Sequence, residues 1–397
     1  MKKKIRASDL RIGMYVEKLD GNWLQHPFWK NAFNLVDPKD IKAIHDSGIK
    51  YAWINTAKGC DVKSTPEKTP ENITTETITP ESPPATKQVS LEDELAHARV
   101  TLEKAREKTL SMFQEARMGN SIKIAEAAPL VEEISQSVAR NPGAMLSLTR
   151  MKNQDNYTYL HSVAVCALMI ALGKQINYQG DLQTLGMAGL LHDVGKMAIP
   201  DEILNKPGKL TDEEFKIIQD HPLRGWEMLK ESPDVDEISL DVCLHHHERI
   251  DGKGYPDKLN ASSISLEAKM GAICDVYDAI TSDRCYKKGW EAGEALKKMA
   301  EWKDGHFDES IFNAFVKTIG IYPTGTLIKL KSGRLAIVTE QSAQTLLKPQ
   351  IKIFFSCNSR TLIPTKTVDL MRSNEIIESI EKPETWGLNR EKVMSML

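Results

Sequence analysis

The stretch LLHDVGKMAIP (residues 190–200) places a histidine and an aspartate side by side, His192 and Asp193, at the end of an apolar segment. The residues before it, LQTLGMAGLL (182–191), have the apolar spacing of a buried helix. A buried imidazole and a buried carboxylate each need a partner, because unpaired polar groups destabilise a core. Taken alone, the pair predicts a His–Asp hydrogen bond that closes a helix before Gly195.

The other histidines change that interpretation. The chain has ten histidines, and six of them fall within residues 161–247, namely His161, His192, His221, His245, His246 and His247. Asp275 follows in AICDVYDAITSDRCYKK (272–288). Imidazole and carboxylate without cysteine suit divalent ions such as Fe, Mn, Ni or Zn, and a carboxylate can bridge two ions. The group therefore favours a metal site. His26, His45 and His97 carry no pattern, and His306 precedes Asp308, a predicted helix cap.

Composition limits the class of protein. The chain has 397 residues, 41% hydrophobic and 27% charged, with a net charge of −3. This charge gives no reason to expect a nucleic acid polymer or an acidic membrane as partner. The longest apolar run, residues 163–173, is too short to span a bilayer, and no apolar run follows the basic N-terminus. The six cysteines are scattered without paired spacing, which predicts a cytoplasmic protein.

The chain divides into five segments by composition and periodicity. Residues 1–62 predict a small α+β domain with a regulatory role, in which Asp37 caps a helix that starts at Pro38. Residues 63–90, rich in Thr, Pro and Glu, predict a disordered linker. The remaining segments are a connecting helix (91–125), a helical domain (126–323) and a small β subdomain with a tail (324–397). The predicted fold class is mainly α, and the apolar spacing of residues 91–119 predicts a homodimer contact.

Four ordered motifs carry a resemblance to a known family. HDVGK (192–196), DHPLRGWEML (220–229), HHERIDGKGYP (246–256) and the segment around Asp275 resemble the HD-GYP phosphodiesterases, a branch of the HD metal-dependent phosphohydrolases. These enzymes cleave cyclic dinucleotides, chiefly cyclic di-GMP. The resemblance covers roughly residues 127–372, and the first 62 residues resemble a domain often joined to this family.

The resemblance implies a set of metal ligands. They are His161, His192, Asp193, His221, His246, His247 and Asp275. Asp193 is expected to bridge two divalent ions, Fe or Mn first and Ni, Zn or Mg as alternatives. A hydroxide activated by these ions then attacks phosphorus in line with the departing 3′-oxygen. Lys196 is expected to stabilise a phosphate oxygen or the leaving group. His245 is the extra histidine of the triplet and is expected either to support the ligands or to pack in the core.

One departure bears on the number of ions. Some family members carry a glutamate four residues before the first histidine, where it holds a third metal, and here that position is Tyr157. A tyrosine, with a pKa of about 10, is a poor ligand at neutral pH. Asp155 does not share a helix face with His161. We therefore expect a two-metal site, and we expect linear pGpG to be favoured over complete conversion to GMP.

Other residues are expected to contact the substrate or the ligands. Gly252 and Gly254 permit unusual backbone angles beside a ligand, and the loop ending in Gly254, Tyr255 and Pro256 is expected to form one wall of the site. Arg284 and Lys287 match the basic pair that family members direct at phosphate and guanine. Asp278 lies one turn after Asp275 and is expected to hydrogen-bond Lys196 or a ligand histidine.

Three functions are consistent with these motifs. The first is hydrolysis of cyclic di-GMP in bacterial second-messenger signalling, with signalling proteins as further partners. The second is hydrolysis of another cyclic dinucleotide, such as 3′,3′-cGAMP. The third is a catalytically silent domain that senses the nucleotide or binds a partner protein. Degenerate relatives usually lose ligands or the GYP loop, and this chain keeps both, which favours an enzyme.

Overall fold

The computed structural model describes residues 2–20, 32–36, 38–46, 49–60, 89–150, 157–282, 289–342 and 344–397. The chain forms two compact units, Met1–Lys87 and Gln88–Leu397. Asp37 and nearly all of the predicted linker 63–90 lie outside the described residues.

The first unit is a small antiparallel sheet with one helix. Its strands lie in the order β1-β4-β2-β3. Buried apolar side chains on one sheet face pack together with Leu35 and with Ile44 of the helix. The helix starts at Pro38, as the sequence predicts. The elements are β1 (Lys2–Arg6), β2 (Tyr15–Leu19), β3 (Phe33–Asn34), α1 (Pro38–Asp46) and β4 (Tyr51–Asn55).

The second unit begins with helices. They are α2 (Leu91–Arg117), α3 (Ile124–Arg140), α4 (Pro142–Leu148), α5 (Tyr157–Gln175), α6 (Leu182–Leu191), α7 (Asp201–Leu204), α8 (Asp212–Gln219), α9 (His221–Lys230), α10 (Glu237–His245), α11 (Leu266–Thr281), α12 (Ala292–His306) and α13 (Glu309–Ile319). A 3-10 helix, Val194–Ala198, follows α6. Asp308 caps α13, as predicted, by accepting hydrogen bonds from the N–H groups of Ser310 and Ile311.

Helix α5 is the centre of the second unit. It packs against α2, α3, α6, α11 and α13, and its residues 160–173 are buried. Glycines let α6 approach it closely: a Cβ on Gly189 would lie 3.0 Å from the backbone of Cys166, and one on Gly186 2.6 Å from Ile170 Cδ1. Because His192 directly follows α6, this close packing fixes the position of His192 along the axis of α5.

Helix α2 is part of the second unit's core. Ser90 caps it by accepting a hydrogen bond from the Asp93 N–H at 3.2 Å. Its apolar face, including Leu95, Ala105 and Phe113, is buried in the same cluster as side chains of α3, α4 and α5. The face that predicted a homodimer is therefore occupied within one chain. Val100, 58% exposed, remains for such a contact, which stays a prediction.

The C-terminal part is a five-stranded antiparallel sheet in the order β8-β7-β6-β5-β9. One face joins the helical core through residues such as Leu335 and Phe354, and the other buries a cluster around Val338 and Ile353. The elements are β5 (Leu327–Leu330), β6 (Arg334–Glu340), β7 (Gln350–Ser356), β8 (Thr361–Asp369), β9 (Ile377–Ile380) and α14 (Arg390–Met394). The predicted fold class, mainly α with a C-terminal β subdomain and an N-terminal α+β unit, is confirmed.

Among the described residues, no helix combines the length and the apolar character needed to cross a bilayer.

A buried ion pair joins α2 to α3. The Glu94 carboxylate is fully buried and accepts hydrogen bonds from Arg140 Nε at 2.6 Å, from Arg140 Nη2 at 2.9 Å and from Ser137 Oγ at 2.8 Å. Burial alone would raise the pKa of Glu94, but these hydrogen bonds hold it below its usual value. The pair therefore stabilises the folded state in its charged form.

We expect Glu94→Gln to lower the free energy of unfolding by about 2 kcal/mol, because Arg140 then lacks its counter-charge. Urea unfolding at pH 7, followed by circular dichroism, measures this change. Exposed Glu92 supplies the control, Glu92→Gln, with a change below about 0.5 kcal/mol.

Because the folded-state pKa is lowered, the contribution of Glu94 to the free energy of unfolding is complete above the unfolded pKa of 4.5. That contribution is lost as pH falls towards the folded value. An unchanged difference between wild type and variant at about pH 4 would contradict this account.

Candidate metal centre

Five segments of the second unit bring the predicted ligands together. Each of these segments is a helix or the end of one: α5, the end of α6, the start of α9, the end of α10 and the middle of α11. All but one of the seven side chains are buried, and the exception, His247, is 22% exposed. The ligands converge in one cluster of His161, His192, Asp193, His221, His246, His247 and Asp275.

A pair of glycines presses α9 against the segment that carries Asp193. A Cβ on Gly195 would lie 1.9 Å from the carbonyl oxygen of His221 and 2.4 Å from the nitrogen of Gly225. No side chain fits between the two backbones. The close approach leaves His221 Nε2 3.2 Å from Asp193 Oδ1. Besides following the end of α6, Gly195 therefore permits the close contact between this segment and the backbone of α9.

The two carboxylate oxygens of Asp193 face different histidines. Oδ1 lies 3.2 Å from His221 Nε2 and 3.7 Å from His246 Nε2. Oδ2 lies 3.4 Å from His161 Nε2 and 3.4 Å from His192 Nε2. Asp193 thus belongs to two groups that have metal-ligand spacing, one with His161 and His192 and one with His221, His246 and His247.

Asp275 also reaches both groups. Its Oδ1 lies 3.0 Å from His161 Nε2 and 3.9 Å from His192 Nε2. Its Oδ2 lies 3.8 Å from His247 Nδ1. The two aspartates therefore supply four carboxylate oxygens at the junction of the two groups of imidazoles.

Four imidazoles are oriented through Nδ1. His192, His221 and His246 donate Nδ1–H to the carbonyl three residues earlier, at 2.8, 2.7 and 3.0 Å. The acceptors, Gly189, Ile218 and Cys243, lie in the last turns of α6, α8 and α10, where helix carbonyls lack intrahelical partners.

The fourth imidazole, His161, bonds through Nδ1 to Asp278 Oδ2 at 2.6 Å. Asp278 thus contacts a predicted ligand histidine, one of the two partners expected from the sequence. In all four residues the Nδ1 bond turns Nε2 towards the centre, which is the usual support of metal-binding histidines.

Burial and charge act in opposite directions on the imidazoles, so that three have a lowered pKa and His161 a raised one. Burial lowers the pKa of His192, lowers that of His221 to about 4 and lowers that of His247 well below its usual value. Burial acts the same way on His161, but hydrogen bonds with Asp193, Asp275 and Asp278 outweigh it and raise its pKa to about 10.

The two carboxylates stay charged despite their burial. Burial would raise the pKa of Asp193, but Lys196 and His192 hold it well below its usual range. Burial would also raise the pKa of Asp275, and His161 and His247 hold it low. A cluster of lone pairs and carboxylates of this kind attracts cations.

The residues present fit divalent ions. Asp193 Oδ1 and His192 Nε2 are buried, and neither makes a hydrogen bond with any described residue. Such atoms destabilise a core unless something else binds them. Imidazole nitrogens and carboxylate oxygens suit divalent transition ions. The centre is therefore built to bind divalent metal.

Lys196 lies at the edge of the centre. Its Nζ donates to Asp193 Oδ2 at 2.5 Å, and its side chain is 20% exposed. The turn between the two residues is the 3-10 helix that follows α6. The ammonium group thus adjoins both the carboxylate and solvent.

The loop at residues 251–259 needs its glycines for two different reasons. Gly252 has a φ of +71°, a conformation that disfavours side chains. Gly254 has no space for one, because a Cβ would lie 2.5 Å from the Arg249 nitrogen and 2.5 Å from Glu248 Cα. The Tyr255 ring stacks on His247, with centroids 4.7 Å apart and planes at 28°. The loop therefore borders the centre.

One supporting residue was missed from the sequence. Glu248 is 2% exposed, and its carboxylate accepts hydrogen bonds from the N–H groups of Asp257 at 2.7 Å and Leu259 at 3.0 Å. These hydrogen bonds hold the end of the loop against Glu248, which precedes the loop. The position of Glu248 directly after His246 and His247, in the same motif, was the available signal.

His245, the extra histidine of the triplet, contacts two aspartates that are not among the predicted ligands. Its Nδ1 is 2.7 Å from Asp241 Oδ1, and its Nε2 is 3.1 Å from Asp257 Oδ2. Arg284, Lys287 and the side chain of Tyr157 lie outside the described residues. The predicted substrate contacts of the first two therefore stay predictions.

Two family profiles match the chain. A domain of unknown function, DUF3391, matches residues 2–127, and the HD domain matches residues 135–311. The HD match contains the whole cluster of predicted ligands. The DUF3391 match covers the first unit and continues through α2.

Curated relatives extend the comparison. The cyclic di-GMP phosphodiesterase PA4108 of Pseudomonas aeruginosa is 51% identical over 98% of this chain and 94% of its own length. The response regulator RpfG of Xanthomonas campestris, also a cyclic di-GMP phosphodiesterase, is 32% identical over 56% of each chain. The 3′3′-cGAMP-specific phosphodiesterase 1 of Vibrio cholerae is 34% identical over 44% of this chain and 41% of its own. With the metal centre and the GYP loop in place, this near full-length similarity means that the chain belongs to the HD-GYP family of cyclic di-GMP phosphodiesterases.

Proposed function

We propose that this chain hydrolyses cyclic di-GMP to linear pGpG with two divalent ions bound at the cluster. The observation that carries the proposal is the position of Asp193, whose two oxygens each face a separate group of imidazoles. A carboxylate so placed suits a bridge between two ions. The relatives named cyclic di-GMP phosphodiesterases support the choice of substrate.

The ligands divide between the two ions. His161 and His192 would hold the first ion, and His221, His246 and His247 the second. Asp193 would bridge the two ions, and Asp275 would contribute beside His161. Iron or manganese is the first choice, since imidazole and carboxylate suit both, and nickel, zinc or magnesium are alternatives.

The chain's own groups act around these ions. When bound, divalent ions supply a water of lowered pKa and neutralise charge on phosphoryl oxygens. Lys196 lies beside Asp193 and partly in solvent, where its ammonium stabilises a phosphate oxygen or the departing 3′-oxygen. Burial lowers the pKa of His192, His221 and His247, which keeps these three imidazoles neutral. Asp193 is thus the structural bridge, and Lys196 the electrostatic group that meets the substrate.

The GYP loop and two basic residues complete the proposed substrate site. Gly254, Tyr255 and Pro256 form the wall next to His247. Arg284 and Lys287 are proposed to bind phosphate and guanine, since an arginine presents paired donors to either group. We propose that the chain acts in the cytoplasm in second-messenger signalling and that residues 1–62 form a regulatory domain.

The direct test is turnover by metal-loaded protein. We expect Mn(II)- or Fe(II)-loaded protein, but not protein treated with chelator, to convert cyclic di-GMP to pGpG as the first main product by chromatography. GMP as the immediate main product would contradict the expectation, based on Tyr157, that linear pGpG is favoured over complete conversion. A panel with 3′,3′-cGAMP tests the alternative that the Vibrio cholerae relative suggests. Tight nucleotide binding without turnover would instead support the silent sensing domain.

We expect Asp193→Ala to lower the metal content from two ions to at most one and kcat by more than about a hundredfold, since even supporting residues of metal sites contribute 10- to 100-fold. Metal analysis and steady-state kinetics measure both effects. Asp201→Ala, which removes a carboxylate 65% exposed on the surface, is the control. A variant at Asp193 with full metal loading and full rate would refute the bridge.

We expect Lys196→Met to lower kcat by about 10²- to 10³-fold, the range for loss of one electrostatic donor, while metal content stays at the wild-type level. Exposed Lys216 provides the matched control, Lys216→Met. A loss of metal equal to that of Asp193→Ala would show instead that Lys196 only maintains the carboxylate.

A further inference from the structure

His247 is anchored differently from the other ligand histidines. Its Nδ1 lies 3.8 Å from Asp275 Oδ2, beyond hydrogen-bond distance, and neither ring nitrogen makes a hydrogen bond within the described part of the chain. His192, His221 and His246 each have a helix-end carbonyl at Nδ1. The side chain of His247 is also the most exposed of the set, at 22%. Hydrogen bonding therefore does not fix its ring angle.

Aromatic packing takes the place of that hydrogen bond. The Tyr255 ring lies nearly parallel to the His247 imidazole, with centroids 4.7 Å apart. On its other sides the imidazole meets His246, with centroids 4.2 Å apart, and His221, at 5.0 Å. Offset stacking of this kind contributes specific geometry beyond burial. The Tyr255 ring thus restricts rotation of the one imidazole that lacks a hydrogen-bonded anchor.

Tyr255 is itself held in place by its loop. Its backbone N–H donates to the His247 carbonyl at 3.3 Å. Gly254 lies against the backbone of Glu248, and the Glu248 carboxylate binds two N–H groups further along the loop. Tyr255 and His247 are therefore held together by a backbone hydrogen bond as well as by stacking of their rings.

We infer that Tyr255 is a positioning residue for the metal centre, because its ring holds the His247 imidazole in the orientation that binds the second ion. This inference rests on the proposed two-ion site and goes beyond the role of Tyr255 in the substrate wall. It is a property of the aromatic ring and not of the hydroxyl. Tyr255 acts before any substrate arrives.

Metal titration without nucleotide tests this role. Chelator-treated protein is titrated with Mn(II) by calorimetry, and electron paramagnetic resonance counts the bound ions. We expect Tyr255→Leu to weaken one equivalent about 10- to 100-fold, the usual range for a supporting residue, and to leave the other unchanged. Tyr255→Phe, which keeps the ring, should restore the wild-type affinity within about threefold. Asp278→Asn is the matched variant for the other equivalent, because Asp278 hydrogen-bonds His161. It should weaken the equivalent held by His161.

A double-mutant cycle separates positioning from general support of the loop. If Tyr255 acts through His247, then Tyr255→Leu should have no further effect on Mn(II) binding in a His247→Ala background. A further loss there, or equal weakening of both equivalents, would overturn the inference, as would unchanged binding by Tyr255→Leu or a loss by Tyr255→Phe as large as by Tyr255→Leu. If the wild type binds one equivalent, the two-ion proposal is wrong. The Tyr255 inference is then tested on that single equivalent with the same variants, and it fails if Tyr255→Leu leaves that equivalent unchanged.

Discussion

The buried carboxylate of Asp193 is the constraint on which the rest of the second unit depends. A charged group without exposure is costly unless it is surrounded by partners, and here four imidazoles and one ammonium group converge on its two oxygens. They come from distant parts of the chain, so the helices must approach closely. Glycines at 189, 195 and 225 make that approach sterically feasible. The backbone contacts and the carboxylate therefore depend on each other.

Carbonyl groups at the C-terminal ends of helices orient three of the predicted ligand histidines. The last carbonyls of any helix lack intrahelical partners. A histidine placed three residues later donates Nδ1–H to such a carbonyl, as His192, His221 and His246 do. The same bond satisfies the helix end, fixes the tautomer and directs Nε2 inwards. One local arrangement, used three times, thus builds much of the centre.

The resemblance to a known family implied the ligand set, and the structure brings these seven side chains together, while their binding of metal stays a prediction. The sequence did not predict Glu248 or Glu94, since a buried glutamate looks like an exposed one until its partners are known. Helix α2 read as a connector because its amphipathic pattern does not identify which surface it covers. Strand β8 is mostly exposed, so it lacks the apolar alternation that marks a strand. In each case the missing information is a contact between residues distant in sequence.

The exposed fractions also indicate how the centre meets its substrate. Asp193 and His192 are inaccessible, whereas Lys196 and His247 are 20% and 22% exposed. In the proposed function a phosphodiester would reach the centre beside these exposed side chains, and the GYP loop borders one of them, His247. A histidine on the solvent-accessible side of the centre cannot be packed between helix ends, because the helices would then block access to the centre. His247 accordingly takes its support from a loop, through the ring of Tyr255 that stacks on its imidazole.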